Sequence, residues 1–260
     1  YILSYISTNC QRRRFVLVDR ILIEKGYSLF NAPRKTIPFV SDREANKLVN
    51  NIEEHPHAFV LACLMDRQLK AERAWEIPFK VKEIIGVFEF PTLKKVSLDN
   101  WRQIFNEYNL HRFNEEMAKV FYKGIQKIAN DYGGNASNIW KGTPGSAAVV
   151  YRFLEFYGAG QKIATMAANI LAREFKVKMS DYYSIDISID VHVTRVFKRS
   201  GLVPQDASPE LLIYKARELN PEYPGVFDLS CWEIGRNWCK KGKEPNCMNC
   251  ILYQFCPKKI

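Results

Sequence analysis

The stretch CKKGKEPNCMNCILYQFC, residues 239–256, holds four of the chain's seven cysteines and constrains the fold more than any other feature. The spacing is C-x7-C-x2-C-x5-C. Three frameworks gather thiols in this way: disulfides, a zinc knuckle or an iron–sulfur cluster. Disulfides fit worst, because seven is an odd number and a chain of 260 residues buries enough core to need no stapling. Zinc sites usually show two close Cys/His pairs, and here only Cys247 and Cys250 form one. Four thiolates on uneven spacers suit the separated corners of a cubane cluster. On spacing alone, zinc and iron–sulfur both stay open. Cys10, Cys63 and Cys231 are scattered, and Cys63, inside the apolar run AFVLACLM, reads as core. This usage fits a reducing, intracellular compartment.

The formal charge of +10 points to a polyanionic partner, nucleic acid first, because neutralised phosphates release counterions. The plainer reading is a soluble basic protein. Nothing resembles an apolar run of about 20 residues, so no membrane span is expected. At the N-terminus, YILSYISTNCQRRRF puts apolar residues before basic ones, the reverse of a secretory signal.

Helical periodicity dominates the rest, and the fold class is read as all-α. SDREANKLVNNIEEH (41–55) opens as a capping box on Ser41 and Glu44. Residues 57–85 read as two helices, one nearly all apolar and one mixed, interrupted near Pro78. Helices follow at 97–108, 114–132, 145–157, 161–175, 209–220 and 226–239. Only YYSIDISIDVHV (182–193) alternates like a strand. Between the helices at 145–157 and 161–175, Gly158 and Gly160 flank one small residue. Such a turn presents backbone N–H groups at a helix start, where an anion is welcome, although most such turns merely connect helices.

Four stretches in order resemble the endonuclease III branch of the helix-hairpin-helix (HhH-GPD) DNA glycosylases, over about residues 50–256. The cysteine spacing is close to that of the family's four-iron, four-sulfur loop. FYGAGQKIA (156–164) is similar to its hairpin, IDVHVTRVFKR (189–199) to its aspartate motif, and HAFVLACLMDRQ (57–68) to the apolar helix that ends in a DNA-inserting Gln. The resemblance implies two helical domains with DNA between them. One is a helical barrel at 43–185 that contains the hairpin at about 145–175. The other is formed by 1–42 with 186–260 and carries the cluster loop at 239–256.

It also implies roles. Lys162 stands at the nucleophile position. A lysine with a pKa of about 10.4 is mostly protonated at neutral pH and must lose its proton before attacking a sugar carbon. Asp190 matches the essential aspartate, able to accept that proton or offset charge on the sugar; it also stands where a helix N-cap would. Asp186 is the rival, and His192 reads as structural. Gln68 is the candidate wedge, with Arg67 and Lys70 beside it as DNA contacts. Gly158 and Gly160 would hold a phosphate, Lys240, Lys241 and Lys243 would grip the backbone, and Cys239, Cys247, Cys250 and Cys256 would hold a 4Fe-4S cluster.

The chain departs from the family pattern. Tyr157 replaces the hairpin proline and Ala159 a valine. The interval from Lys162 to Asp190 is longer, with extra sequence near 176–185. Met65-Asp66-Arg67 precedes the Gln where small residues are usual, so Asp66 or Arg67 is expected to line or edge a different base pocket. The expected activity is a bifunctional glycosylase and abasic-site lyase of base excision repair, monomeric, acting on duplex DNA with a damaged base or abasic site. Oxidised pyrimidines come first as substrate, then 8-oxoguanine, then mismatched thymine or uracil. A prokaryotic cytoplasm and nucleoid is the favoured location, a nucleus if the source is eukaryotic. The competing classes are a non-catalytic or monofunctional DNA-binding protein of the same fold and a zinc-stabilised adaptor.

Overall fold

The computed structural model describes residues 2–242 and 245–258, with side chains from Leu17 onward. Every regular element among the described residues is helical. The chain divides into two compact units, 34–179 and 1–33 with 180–260, where the sequence suggested boundaries at 43 and 185.

In the unit 34–179, α2 (Arg43–Asn50) is capped by Asp42, whose carboxylate accepts from Ala45 N–H at 2.8 Å. The expected cap was one residue earlier. Ser41 is instead occupied by Glu72, to which its hydroxyl donates at 2.5 Å and its N–H at 3.2 Å. All ten residues of α3 (Pro56–Met65) are buried, with proline at the start where its missing N–H costs nothing. Helices α2, α4 (Ala71–Ile85), α7 (Asn114–Asp131) and α9 (Gln161–Arg173) pack around it. Each fully buried Phe or Leu here, such as Phe59, Leu61 and Leu64, contributes roughly 1.5–3 kcal/mol.

The break expected near Pro78 lies at residues 66–70 instead, and α4 (Ala71–Ile85) runs through Pro78. Pro78 is buried in the packed face of that helix, so tertiary burial offsets the one lost backbone hydrogen bond. Next come α5 (Phe90–Leu93), α6 (Leu98–Glu107), α7 (Asn114–Asp131), α8 (Ser146–Leu154) and α9 (Gln161–Arg173), with α8 packed on α9. Gly124 lets α7 approach α3 closely: a Cβ there would lie 2.9 Å from Leu64 Cδ1.

The second unit comprises α1 (Ile2–Asn31), α10 (Val191–Arg199), α11 (Pro209–Leu219) and α12 (Phe227–Asn237). Helices α1 and α12 pack together, and α10 packs on α12. Lys25 pairs with Glu233 at 2.8 Å across the first contact. The strand-like segment 182–193 forms no strand: 191–193 open α10, and Ile185, Asp186, Ile187 and Ser188 are buried in a row instead of alternating. Its backbone is satisfied one bond at a time. Ile185 O accepts from Gly225 N–H at 2.7 Å, and Ser188 N–H donates to Asp228 Oδ1 at 2.7 Å.

Candidate active site and cysteine-lined cavity

The hairpin turn of the 34–179 unit is built by two glycines with different reasons. Gly158 has φ +83°, and a Cβ on it would lie 2.8 Å from Val120 Cγ2 of α7. Both the backbone angle and the close approach demand glycine. Gly160 has φ −112° and ψ −179°, an extended conformation open to any residue, and nothing lies within 4 Å of its missing Cβ. The protein itself does not need glycine there; the bare backbone leaves room for a ligand. Helix α9 begins at once, with no side chain capping it. Tyr157 anchors the turn in place of a proline. Its ring lies under the amines of Lys119 and Lys123, 4.9 and 4.1 Å from the centroid, and its hydroxyl donates to Glu116 at 3.1 Å.

Lys162 is the second residue of α9. Its Nζ donates to Asp66 Oδ2 at 2.9 Å, the lysine side chain 40% and the aspartate side chain 8% exposed. Asp66 is the residue that ends α3. The reading that Asp66 or Arg67 edges a pocket divides here: Asp66 is buried on the lysine, and Arg67 is exposed. Gln68 is exposed too and holds φ +52°, a left-handed backbone rare outside glycine and asparagine. Such strain persists where surroundings impose it, often at functional loops. Lys70 is exposed at the same loop.

In the other unit, Asp190 is the N-cap of α10. Its Oδ1 accepts from His192 N–H at 2.8 Å and Val193 N–H at 2.7 Å, which leaves Oδ2 uncommitted. Asp186 is buried, and both of its oxygens accept from Arg217, at 2.7 and 2.8 Å. Of the two carboxylates, Asp190 therefore keeps an oxygen to offer. His192 is seated against Gly235 of α12, where a Cβ would lie 2.7 Å from its own, and its Nδ1 faces Arg195 Nη2 at 3.0 Å.

Two arginines of α10 that the sequence reading did not single out grip the cysteine loop. Arg195 donates to Cys239 O and to Gly235 O at 2.5 and 2.8 Å. Arg199 donates to Lys240 O at 2.8 Å and Gly242 O at 3.0 Å, and its Nη1 lies 3.9 Å from Cys239 Sγ. Their spacing of four residues puts both on one helix face, the only hint the sequence carried. Cys239, Cys247, Cys250 and Cys256 line one pocket together with Val196, Ile234 and Leu252. Among the described residues no three His, Cys, Asp or Glu side chains converge on one metal-ion position. Four thiols on one pocket are a donor set that either an iron–sulfur cluster or a zinc ion takes. Burial pushes the Cys250 and Cys256 thiols up, so their deprotonation would accompany metal binding. Lys240 and Lys241 are exposed beside the cavity, and Lys243 lies outside the described residues.

Solved structures share this architecture. A non-covalent endonuclease III–DNA complex matches with a TM-score of 0.61 at 17% identity, over 92% of this chain and 94% of that one. A trapped endonuclease III–DNA covalent intermediate, an estranged-adenine complex, gives 0.59 at 17% identity over the same shares. A thermostable thymine-DNA glycosylase gives 0.61 at 16% identity, over 97% and 98%. No protein-family model and no curated protein matches the sequence. At these identities the likeness is one of fold. The chain has the all-α fold found in endonuclease III and in this thymine-DNA glycosylase.

Proposed function

We propose that this protein is a DNA glycosylase with abasic-site lyase activity, acting as a monomer on duplex DNA in base excision repair. The observation that carries the reading is Lys162, in the first turn of the uncapped helix α9 behind the Gly158–Gly160 turn, with its amine on the carboxylate of Asp66. Backbone N–H groups at such a helix start draw a phosphate, and that holds the strand next to the lysine. Resemblance to enzymes with lysine at this position then supports attack by Nζ on the sugar C1′. The damaged base leaves, a Schiff base forms, and elimination cuts the strand.

Excision needs the base out of the stack, and Gln68, exposed on a strained turn, is suited to fill the gap. Asp190 is assigned the carboxylate that offsets positive charge on the sugar, using the oxygen its capping role leaves over. Lys240, Lys241 and Lys243, with Arg67, are assigned to the DNA backbone. Cys239, Cys247, Cys250 and Cys256 would hold a 4Fe-4S cluster, whose contribution when bound is to cross-link the 239–256 loop at four points. The reading implies an intracellular location with the genome.

Oxidised pyrimidines stand first as substrate and 8-oxoguanine second. The likeness to a thymine-DNA glycosylase keeps mismatched thymine and uracil on the panel. A second reading, a monofunctional enzyme or a non-catalytic DNA-binding protein of this fold, is favoured by one observation: the Lys162 amine is already committed to an ion pair. Labelled duplexes, each with one lesion, separate these readings. Strand cutting without alkali on one lesion supports the bifunctional enzyme. Cutting only after alkali supports a monofunctional one. Tight binding with no cutting on any lesion would leave the non-catalytic reading.

A further inference from the structure

We infer that Asp66 is a second working carboxylate of this protein, the direct proton acceptor and positioning partner of Lys162. The inference rests on Lys162 being the nucleophile. Asp66 Oδ2 lies 2.9 Å from Lys162 Nζ across 96 residues of sequence, inside one compact unit. Among the described residues of the 34–179 unit no other carboxylate is within ion-pair distance of that amine. The aspartate is buried at the point where α3 ends and the chain turns toward Gln68. Helix α3 is buried along its whole length and packs on α9, so both ends of the pair are fixed by core packing. A lysine otherwise pays side-chain entropy to hold one position; here the carboxylate holds it.

The chemistry follows from contact. One Nζ–H bond of the ammonium breaks and an O–H bond forms on Asp66 Oδ2. The electron pair left on Nζ is the pair that bonds to C1′, while the pair of the C1′–base bond departs with the base, which takes a proton from solvent. Once DNA covers the site and excludes bulk water, the neighbouring acceptor decides the rate. The other ionisable groups at this corner are Cys63, Arg67, Arg73, Arg112 and His111. Burial pushes the Cys63 thiol well upward and holds His111, whose Nε2 faces Met65 O at 3.2 Å, below its ordinary value. Neither group lies between Asp66 and the lysine.

The test is the rate of borohydride-trapped adduct on a plain abasic-site duplex, which needs no base recognition, measured against pH for wild type, Asp66→Asn and Asp66→Glu. Asparagine keeps the shape and loses the acceptor. Its rate is expected to fall about 10²–10⁴-fold at neutral pH and to recover as pH rises toward the lysine's own range. Glutamate restores an acceptor and is expected to keep the wild-type pH profile at a reduced rate. An Asp66→Asn rate equal to or above wild type at neutral pH overturns the inference, as does an Asp66→Glu profile that matches Asp66→Asn. Failure of wild type itself to form an adduct overturns the lysine reading instead, and is told apart because it needs no Asp66 variant.

Discussion

The two glycines of the hairpin turn make opposite demands, and exchanging each for alanine separates fold from function. Gly158→Ala forces a left-handed backbone on a residue with a Cβ, at a cost of about 1–2 kcal/mol. It also drives that Cβ to 2.8 Å from Val120 Cγ2, in a turn pinned to α7 by Tyr157, and such overpacking costs about 1–3 kcal/mol. Together the loss is roughly 2–5 kcal/mol in the 34–179 unit. Gly160→Ala meets neither obstacle. Its backbone is extended, its surroundings are open, and the substitution is expected to be neutral or to add about 0.4–1 kcal/mol by restricting the unfolded chain. The methyl then stands where a phosphate would approach the uncapped N–H groups of α9. DNA affinity should fall by about tenfold or more with stability kept. Urea unfolding and titration of a fluorescent abasic-analogue duplex, at one fixed salt, read the two quantities independently. If Gly160→Ala binds DNA like wild type, the phosphate role of this turn is refuted. If Gly158→Ala unfolds at the wild-type urea concentration, the packing argument is.

Four further substitutions, the last read against pH, probe other parts of the molecule. Asp190→Asn keeps a good N-cap for α10, so stability should change by less than about 1 kcal/mol while excision falls about 10²–10⁴-fold; Asp186→Asn, which breaks the Arg217 pair, should do the reverse and cost roughly 1–2 kcal/mol given the half-open arginine. Arg199→Ala removes the donors to Lys240 O and Gly242 O, and purified protein should carry less iron per chain and lose its colour faster in air than wild type. His57 is buried on Phe88 O at 2.8 Å, and burial lowers its pKa to about 4, against about 6.5 when unfolded. The unfolded state therefore binds the extra proton. His57 contributes stability fully above about pH 6.5 and loses it as pH falls through 6.5 toward 4, about 3 kcal/mol in all. His57→Gln should flatten that part of the urea-midpoint profile.

Much of this was legible in the sequence because it depends on local periodicity. The apolar run 57–65, the hairpin helices and the cysteine loop each carry their own signal. Local signals failed where two were in competition. Ser41 and Asp42 are both good caps, and the choice went to Asp42 because Glu72 occupies the serine. Pro78 reads as a breaker, yet burial of its helix face outweighs one lost hydrogen bond, and the real break at 66–70 has no such marker. The alternation at 182–193 mimics a strand although Ile185–Ser188 are buried consecutively and 191–193 belong to α10. The Lys162–Asp66 pair and the Arg199 clamp lie out of reach for a different reason. Their partners are 96 and 41 residues away, and no pattern in the chain announces which acid or carbonyl a long basic side chain will find.

The measurement closest to the central claim is peptide mapping of the protein after borohydride treatment with an abasic-site duplex. One covalent adduct is expected, on the peptide that carries Lys162, and none in Lys162→Gln. An adduct on another lysine, or one that persists in Lys162→Gln, would contradict it.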